Sequence, residues 1–349
     1  STGFLSRACA ACVGGCGSST FYIDLRCNRD CYFCFNPNQA DFEERCTRDA
    51  PWREELEAFG REVPEVTHVG LTGGEPLLRS DEALAFLARA HELYPTAHLR
   101  LYTSGMGLDE AFCAAAAECG LNEIRFSVKL DEGEGAVGEA LAAIALARRF
   151  PIDAMVEMPV VPAELERMKL LLQQLDDLGV RGINLLELCY PHRNWGEFAR
   201  RGLALKNPPF EVLYDYGYAG GLAVAGSEQA CLELVLFALE KGLSLGVHYC
   251  SLDNKNRDQV LQGNRAVALD PEIYELGDDC FYRTAKAFDG DKEKVSAYLD
   301  GIGARYGVEE DCVSFHPDRI AEVAGLGVLP VLSWNVIEGQ GVDAYIREL

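Results

Sequence analysis

From Phe21 onward, short apolar runs of strand length alternate with stretches of helical periodicity. Phe21–Leu25, Val66–Leu71, Leu99–Tyr102, Ile124–Val128, Ile152–Val160 and Ile183–Leu188 read as strands. Between them, Trp52–Phe59, a segment opening at Ser80, Asp109–Cys119, Ala136–Arg149 and Glu164–Leu178 read as helices. Ser80 is the expected N-cap of its helix, with Asp81 and Glu82 in the first turn. Six such repeats point to an α/β fold, a parallel sheet wrapped by helices. Two arrangements satisfy the right-handed crossover rule: an open doubly wound sheet, or a closed or partial barrel. In both, chemistry sits at the carboxyl ends of the strands. The unusual residues fall there: Cys27 after the first strand, Gly73–Glu75 after the second, and Thr103 and Ser104 after the third.

After Leu188 the rhythm breaks. Pro191–Gly226 carries Pro208, Pro209, Gly220, Gly221 and the tyrosines Tyr214, Tyr216 and Tyr218, and it reads as long irregular connections with the character of a lid. Glu228–Leu239 is a helix, Leu243–Tyr249 has strand character, and Ser251–Arg265 reads as helical. A helix over Lys292–Tyr306 and a late strand over Val328–Ile337 follow. At the other end, Ser1–Thr20 has neither helical nor strand periodicity, so a metal cluster is the expected source of order there. The expected division is a cysteine-rich segment at 1–20, a core at 21–190, and a C-terminal α/β substrate or lid module at 191–349.

The formal net charge is −23. A field of that sign repels nucleic acid and anionic lipid, so neither is an expected partner. No stretch of eighteen apolar residues is present, so no membrane span is expected. No basic start leads into an apolar signal region, so the expected location is cytoplasmic. Fourteen cysteines is a high number for such a chain. Thiols stay reduced in the cytosol, so clustered cysteines read as metal or iron–sulfur ligands rather than as disulfides.

Cys27, Cys31 and Cys34 place three thiols within eight residues directly after a strand. Thiolates are soft ligands that suit iron–sulfur clusters and zinc. Three of them hold three corners of a four-iron cube and leave the fourth iron open to a small molecule. A zinc ribbon needs two short cysteine pairs, and this loop supplies one. The C-x3-C-x2-C pattern of Cys27, Cys31 and Cys34, with Phe33 just before the last cysteine, resembles the radical S-adenosylmethionine superfamily. Thr72-Gly73-Gly74-Glu75-Pro76 resembles the same family's second motif.

The resemblance covers about half the chain, Phe21–Cys189, and implies a partial (β/α)6 TIM-like barrel. It implies a 4Fe-4S cluster on Cys27, Cys31 and Cys34. The open iron would chelate the amino and carboxylate groups of S-adenosylmethionine. Reductive cleavage would then give a 5′-deoxyadenosyl radical that removes hydrogen from substrate. Gly73 and Gly74 are expected to let backbone approach the ligand, and Glu75 to accept from its ammonium group. By the same resemblance, Thr103 and Ser104 lie near the methionine carboxylate, and Ser127 and Lys129 near ribose and carboxylate. Glu157 and Val160 lie near ribose and adenine, and Phe33 belongs to the cofactor-binding set.

A second triplet, Cys9, Cys12 and Cys16, stands in the N-terminal segment. An auxiliary iron–sulfur cluster is the favoured reading, with zinc and free thiols as alternatives. Cys250 is the expected fourth ligand, ahead of Cys46, Cys189 and Cys280. Among the histidines, His192 and His248 are the better functional candidates. The Cys9 group, the sequence His248-Tyr249-Cys250 and the late strand resemble radical enzymes related to pyruvate formate-lyase activating enzyme. The expected function is a radical S-adenosylmethionine enzyme acting on a peptide, protein or small molecule, anaerobically. An external electron donor such as flavodoxin or ferredoxin would serve it. A non-catalytic iron–sulfur electron carrier and a zinc-stabilised binding module are the alternatives. No residue is assigned a catalytic role on the substrate.

Overall fold

A computed structural model describes residues 1–14, 17–39, 41–63, 65–190, 194–207, 222–252, 260, 264–265, 267–279, 281–338 and 341–348. The chain divides into two compact units, Ser1–Asn256 and Arg257–Leu349.

The first unit holds the alternation. Its strands are β1 (Ser18–Tyr22), β2 (His68–Thr72), β3 (His98–Thr103), β4 (Leu121–Phe126), β5 (Asp153–Val160), β6 (Gly182–Glu187) and β7 (Gly246–Cys250). They form one parallel sheet in the order of the sequence, β1 to β7. Its helices are α1 (Arg7–Gly14), α2 (Phe42–Arg45), α3 (Trp52–Glu62), α4 (Ser80–Leu93), α5 (Glu110–Glu118), α6 (Glu134–Ala147), α7 (Leu165–Asp177), α8 (Trp195–Arg200) and α9 (Ser227–Lys241). A strictly sequential parallel order, with a helix in every crossover, is the partial-barrel topology.

The hydrophobic core lies between this sheet and its helices. Val69, Leu71, Leu99, Leu101, Ile124, Phe126, Val156, Ile183, Leu185 and Val247 all join one buried cluster with residues of α4 to α7 and α9. Side chains alternate across a strand, so Arg100, Glu123, Arg125 and Asn184 stand on the opposite face, and all four are buried there. The sheet therefore has an apolar face toward the helices and a polar inner face.

Four expectations are corrected. The segment 1–20 is not structureless: it contains α1 and most of β1, which begins three residues before the apolar run that marked it. Thr2 also forms an antiparallel bridge with Val247 at the outer side of β7. The boundary expected at residue 190 moves to 256, because β7 pairs in parallel with β6 and completes the sheet. The connection after β6 is not wholly irregular, since α8 interrupts it. Ser80 is the first helical residue of α4 rather than its cap, and its hydroxyl donates to the Leu77 carbonyl at 2.8 Å.

The second unit contains β8 (Glu275–Leu276), β9 (Tyr282–Phe288), β10 (Tyr306–Val308), β11 (Cys312–Phe315), β12 (Val331–Glu338) and β13 (Gly341–Glu348). They form an antiparallel sheet ordered β10-β11-β9-β12-β13, with β8 paired to β9. Helices α10 (Asp291–Ile302) and α11 (Ile320–Ala324) pack Val295, Leu299 and Val323 onto Ala285, Ala287, Val313 and Phe315. Its late strand matches the expected one within three residues. The expected helix over Ser251–Arg265 lies largely outside the described residues, as do Tyr214, Tyr216 and Tyr218.

Candidate functional site

The first strand leads at its carboxyl end into the loop that carries Cys27, Cys31 and Cys34. Two features fix where that loop runs. The first is the glycine pair after β2. A Cβ on Gly74 would lie 1.8 Å from the Arg26 carbonyl oxygen, and one on Gly73 would lie 2.6 Å from that of Asp24. Gly73 also has φ +119°, which glycine adopts readily. The Gly74 amide donates to the Asp24 carbonyl at 3.2 Å, and the Glu75 amide to that of Arg26 at 2.7 Å. The glycines thus let two stretches of this chain meet just before Cys27, which sequence reading had assigned to approach of a ligand. The second feature is Asp24, buried and paired with Arg26 and with Arg79 at 3.1 Å. Arg79 in turn pairs with Asp49 at 2.8 Å.

The thiols line the loop, Cys27 exposed and Cys31 and Cys34 half-buried. Burial pushes the Cys27 and Cys34 thiols up, neighbouring thiolates add to this, and Lys129 pulls the other way. A bound cation would overcome that bias, since a coordinated thiol loses its proton. Three thiols on one loop suit a polynuclear iron–sulfur cluster with one open iron, whereas a closed structural zinc site takes four protein ligands.

At the next strand ends the structure joins Glu75 to Thr103 and Ser104. Glu75 is buried, and its Oε1 accepts from the Thr103 hydroxyl at 2.6 Å and the Leu77 amide at 3.1 Å. Its Oε2 accepts from the Ser104 amide at 2.7 Å and the Ser104 hydroxyl at 2.6 Å. Thr103 and Ser104 therefore serve Glu75 directly. At the end of β4, Lys129 Nζ donates to Ser127 Oγ at 2.7 Å and lies 4.7 Å from the Phe33 ring centroid. A cleft of about 200 Å3 opens beside the loop, lined by Phe33, Tyr32, Val128, Met158, Pro159 and Val161, with Arg201, Asp131 and Glu164 as charged members. Val160 does not face it: its side chain is fully buried in the helix-side core, and its carbonyl accepts from Ser227.

Glu157 lies on the polar inner face. It pairs with Arg125 and accepts from Asn184 Nδ2 at 2.7 Å. Arg125 also pairs with Glu123 at 2.5 Å, and Ser6 Oγ donates to Glu123 at 2.6 Å. Burial pushes Glu123 up, but the nearby His98 at 3.4 Å, the Arg125 guanidinium charge and hydrogen bonds from Ser6 and Arg125 outweigh it and hold the carboxyl down at about 2. Cys9 projects into this same network. Asn184 Nδ2 donates to its sulfur at 3.0 Å, and Arg125 Nη2 approaches it at 3.5 Å. Cys250 is two residues along β7 from His248, whose strand partner is Asn184. Cys9 and Cys250 therefore address the same face of the β6–β7 pair. The side chain of Cys12, and Cys16, Cys280 and His192 as a whole, lie outside the described residues. Cys46 donates to the Leu25 carbonyl at 3.5 Å, and Cys189 is buried beside Ala223 and Leu252, where Leu252 lies two residues beyond Cys250. His248 is pushed down by burial, and its Nδ1 has no hydrogen-bond partner among the described residues.

Sequence reading missed Glu123, Arg125 and Asn184. The signal was present: Glu123 and Arg125 alternate with Ile124 and Phe126 in a parallel strand, where continuous apolar residues are the rule.

The Radical SAM superfamily model matches residues 23–175, which run from the end of β1 through most of α7. Those residues carry the likeness to the radical SAM superfamily, whose enzymes use a 4Fe-4S cluster and S-adenosylmethionine. It is similar to a protein of Methanocaldococcus jannaschii named as a glycyl-radical enzyme activating enzyme, 26% identical over 75% of this chain and 67% of that one. It is also similar to the PqqA peptide cyclase of Methylocella silvestris, 30% identical over 51% of this chain and 48% of the cyclase. The chain thus spans two thirds of one curated relative and about half of the other. Among solved structures, Streptococcus suis SuiB bound to its precursor peptide SuiA has a TM-score of 0.49 at 13% identity, over 68% of this chain and 49% of SuiB. The three thiolates, the close-packed glycine turn and the buried carboxylate beside it suit the class cofactors in donor type and placement.

Proposed function

We propose that this chain binds S-adenosylmethionine at a site-differentiated 4Fe-4S cluster and abstracts hydrogen from a peptide or protein substrate. The observation that carries the reading is the junction after β2. There the glycine pair fixes the cysteine loop against the strand end, and Glu75 collects Thr103 and Ser104 beside it. An electron carrier or a zinc-stabilised module has no need of a buried carboxylate at that position. The peptide class draws on the two relatives, one named for activating a glycyl-radical enzyme and one for cyclising a peptide.

Bound together, the cluster and S-adenosylmethionine supply a 5′-deoxyadenosyl radical. Cys27, Cys31 and Cys34 would hold the cluster and leave one iron open. Glu75 carries acceptor capacity for an ammonium group, because the Thr103 and Ser104 hydroxyls can rotate away from it. Once turned, those hydroxyls can donate to a carboxylate. Lys129 places positive charge at the neighbouring strand end. Phe33 and the apolar cleft exclude water from the reacting centre. Ser127 completes the polar rim, and Glu157 acts from beneath through Arg125. An auxiliary cluster on Cys9, Cys12, Cys16 and Cys250 belongs to the same proposal, supported by the shared face of Cys9 and Cys250. The reductant is an external donor of flavodoxin or ferredoxin type, and the setting is a reducing, cytoplasmic one. No described helix is long and apolar enough to cross a membrane.

Anaerobic reconstitution with iron and sulfide, followed by dithionite and S-adenosylmethionine, should release 5′-deoxyadenosine and methionine. A fully loaded four-iron protein that makes neither product refutes the proposal. Eight irons per chain, falling on Cys9→Ala or Cys250→Ala, are expected if the auxiliary cluster forms; four in every variant refute it.

A further inference from the structure

The geometry points to residues 194–201 as a clasp that positions the cysteine loop, with Asn194, Phe198 and Arg201 as positioning residues acting on Cys31 and Cys34 through Tyr32. The inference rests on the cluster assignment proposed above and concerns how this chain holds that loop.

Tyr32 lies between the two cysteines, yet it is buried. Three contacts from one short segment account for this. Asn194 Nδ2 donates to the Tyr32 carbonyl at 2.8 Å. Phe198, fully buried, meets the Tyr32 ring edge-on at a centroid distance of 5.3 Å. The Arg201 guanidinium sits 3.9 Å above the same ring. Phe198 is itself fixed by Tyr190, 4.7 Å away, within a small apolar cluster that also holds Leu188 and Val224. That cluster is distinct from the main core, so its members have one common neighbour of functional interest, the cysteine loop.

The charges complete the hold. Arg201 pairs with Glu197 at 3.1 Å and with Asp131 at 3.7 Å. Asp131 adjoins Glu132, which pairs with Arg29 on the cysteine loop. The loop is therefore gripped at Arg29 and at Tyr32 by groups outside it, and Lys129 lies over Phe33. Asn194 has φ +75°, a left-handed conformation that asparagine tolerates, and its side chain makes no helix cap. The side chain is committed to the Tyr32 carbonyl instead.

A loop held in place before it meets iron gives up less conformational freedom on binding the cluster. Outer contacts of this kind orient metal ligands and tune the metal. The clasp should therefore govern how firmly the cluster is held and at what potential it accepts an electron.

The test uses Asn194→Gly, which suits φ +75° and removes only the side-chain bond, and Arg201→Ala, with Arg201→Lys as the conservative partner. Each is reconstituted anaerobically. Iron and sulfide content, the rate at which a chelator strips iron, and the EPR-monitored reduction potential are measured, together with the Tm of the iron-free chain. Stripping about fivefold faster, the factor of one lost hydrogen bond, is expected in Asn194→Gly and Arg201→Ala. A changed potential and a Tm within about 2 °C of wild type are expected with it, and Arg201→Lys should recover part of the loss. Wild-type stripping rates and potentials in both variants overturn the clasp. So does faster stripping that only follows a fall in Tm and is not recovered by Arg201→Lys. A wild-type chain whose iron content equals that of Cys27→Ala overturns the cluster assignment itself, and the clasp with it.

Discussion

Replacing Glu75 with glutamine tests the junction after β2 with almost no change of shape. Each carboxylate oxygen of Glu75 accepts one backbone amide, Leu77 on Oε1 and Ser104 on Oε2. A hydroxyl can turn round and accept, but a backbone N–H cannot. Either orientation of the glutamine amide therefore points its NH2 at one of the two backbone amides. The substitution loses one hydrogen bond to a charged group, about 1.5–3 kcal/mol, and leaves a buried donor unsatisfied, about 1–3 kcal/mol. The Thr103 and Ser104 hydroxyls relieve part of this by rotating, so a net loss of about 3 kcal/mol is expected. For a unit of this size that corresponds to a fall in Tm of about 6–12 °C. Urea unfolding of the iron-free chain, followed by far-UV circular dichroism, isolates the effect from cluster loss. A change below about 0.5 kcal/mol, the range of ordinary surface substitutions, would refute the reasoning. Retained affinity for S-adenosylmethionine in the loaded variant would separately remove Glu75 from the ligand site.

Gly74→Ala puts a methyl group onto the Arg26 carbonyl; it should cost about 3 kcal/mol and lower iron uptake at the cysteine loop, and normal iron content would contradict it. Arg125→Met strands Glu123 and Glu157 without their cation; a loss of about 3–5 kcal/mol is expected, partly recovered when Glu123→Gln is added, and a neutral single variant would show that the network is solvated. Burial, with the nearby His98 and Arg100, pushes His68 down to about 4, below the roughly 6.5 of an unfolded histidine. Its contribution is thus complete above about pH 6.5 and is lost as pH falls toward 4, by up to about 3 kcal/mol. His68→Asn should flatten urea-measured stability in that window, and an unchanged slope would assign the transition to another group.

The strand–helix alternation was enough to place Cys27, Gly73–Glu75, Thr103 and Ser104 at successive strand ends, because that placement depends only on local periodicity. Ser127 and Lys129 came instead from the family resemblance, and they stand together just after β4. The membership of β7 was not legible. A long connection separates it from β6, and α8 within that connection is too short to show a helical period. Gly73 and Gly74 carry a close approach that sequence alone does not identify: it shows that an approach is allowed but not what approaches, and the Asp24–Arg26 backbone does. Val160 was mistaken by one step along a strand, since a shift of one residue exchanges the two faces of a sheet. The partnership of Tyr32 with Asn194, Phe198 and Arg201 spans more than 160 residues, and no local pattern announces it.

The bridge between Thr2 and Val247 has a practical meaning. Thr2 donates to the Val247 carbonyl at 2.8 Å and accepts from its amide at 3.2 Å, occupying hydrogen-bonding positions on the far side of β7. Gly246 makes room, since a Cβ there would lie 2.1 Å from the Phe4 carbonyl oxygen. An open parallel sheet ending in a bare strand invites another chain to pair with it and to propagate. The first four residues act as a selvedge that stops the sheet from fraying into its neighbours. Removing residues 1–4 would bare the outer hydrogen-bonding positions of β7 and promote aggregation of the chain before the cluster is ever loaded.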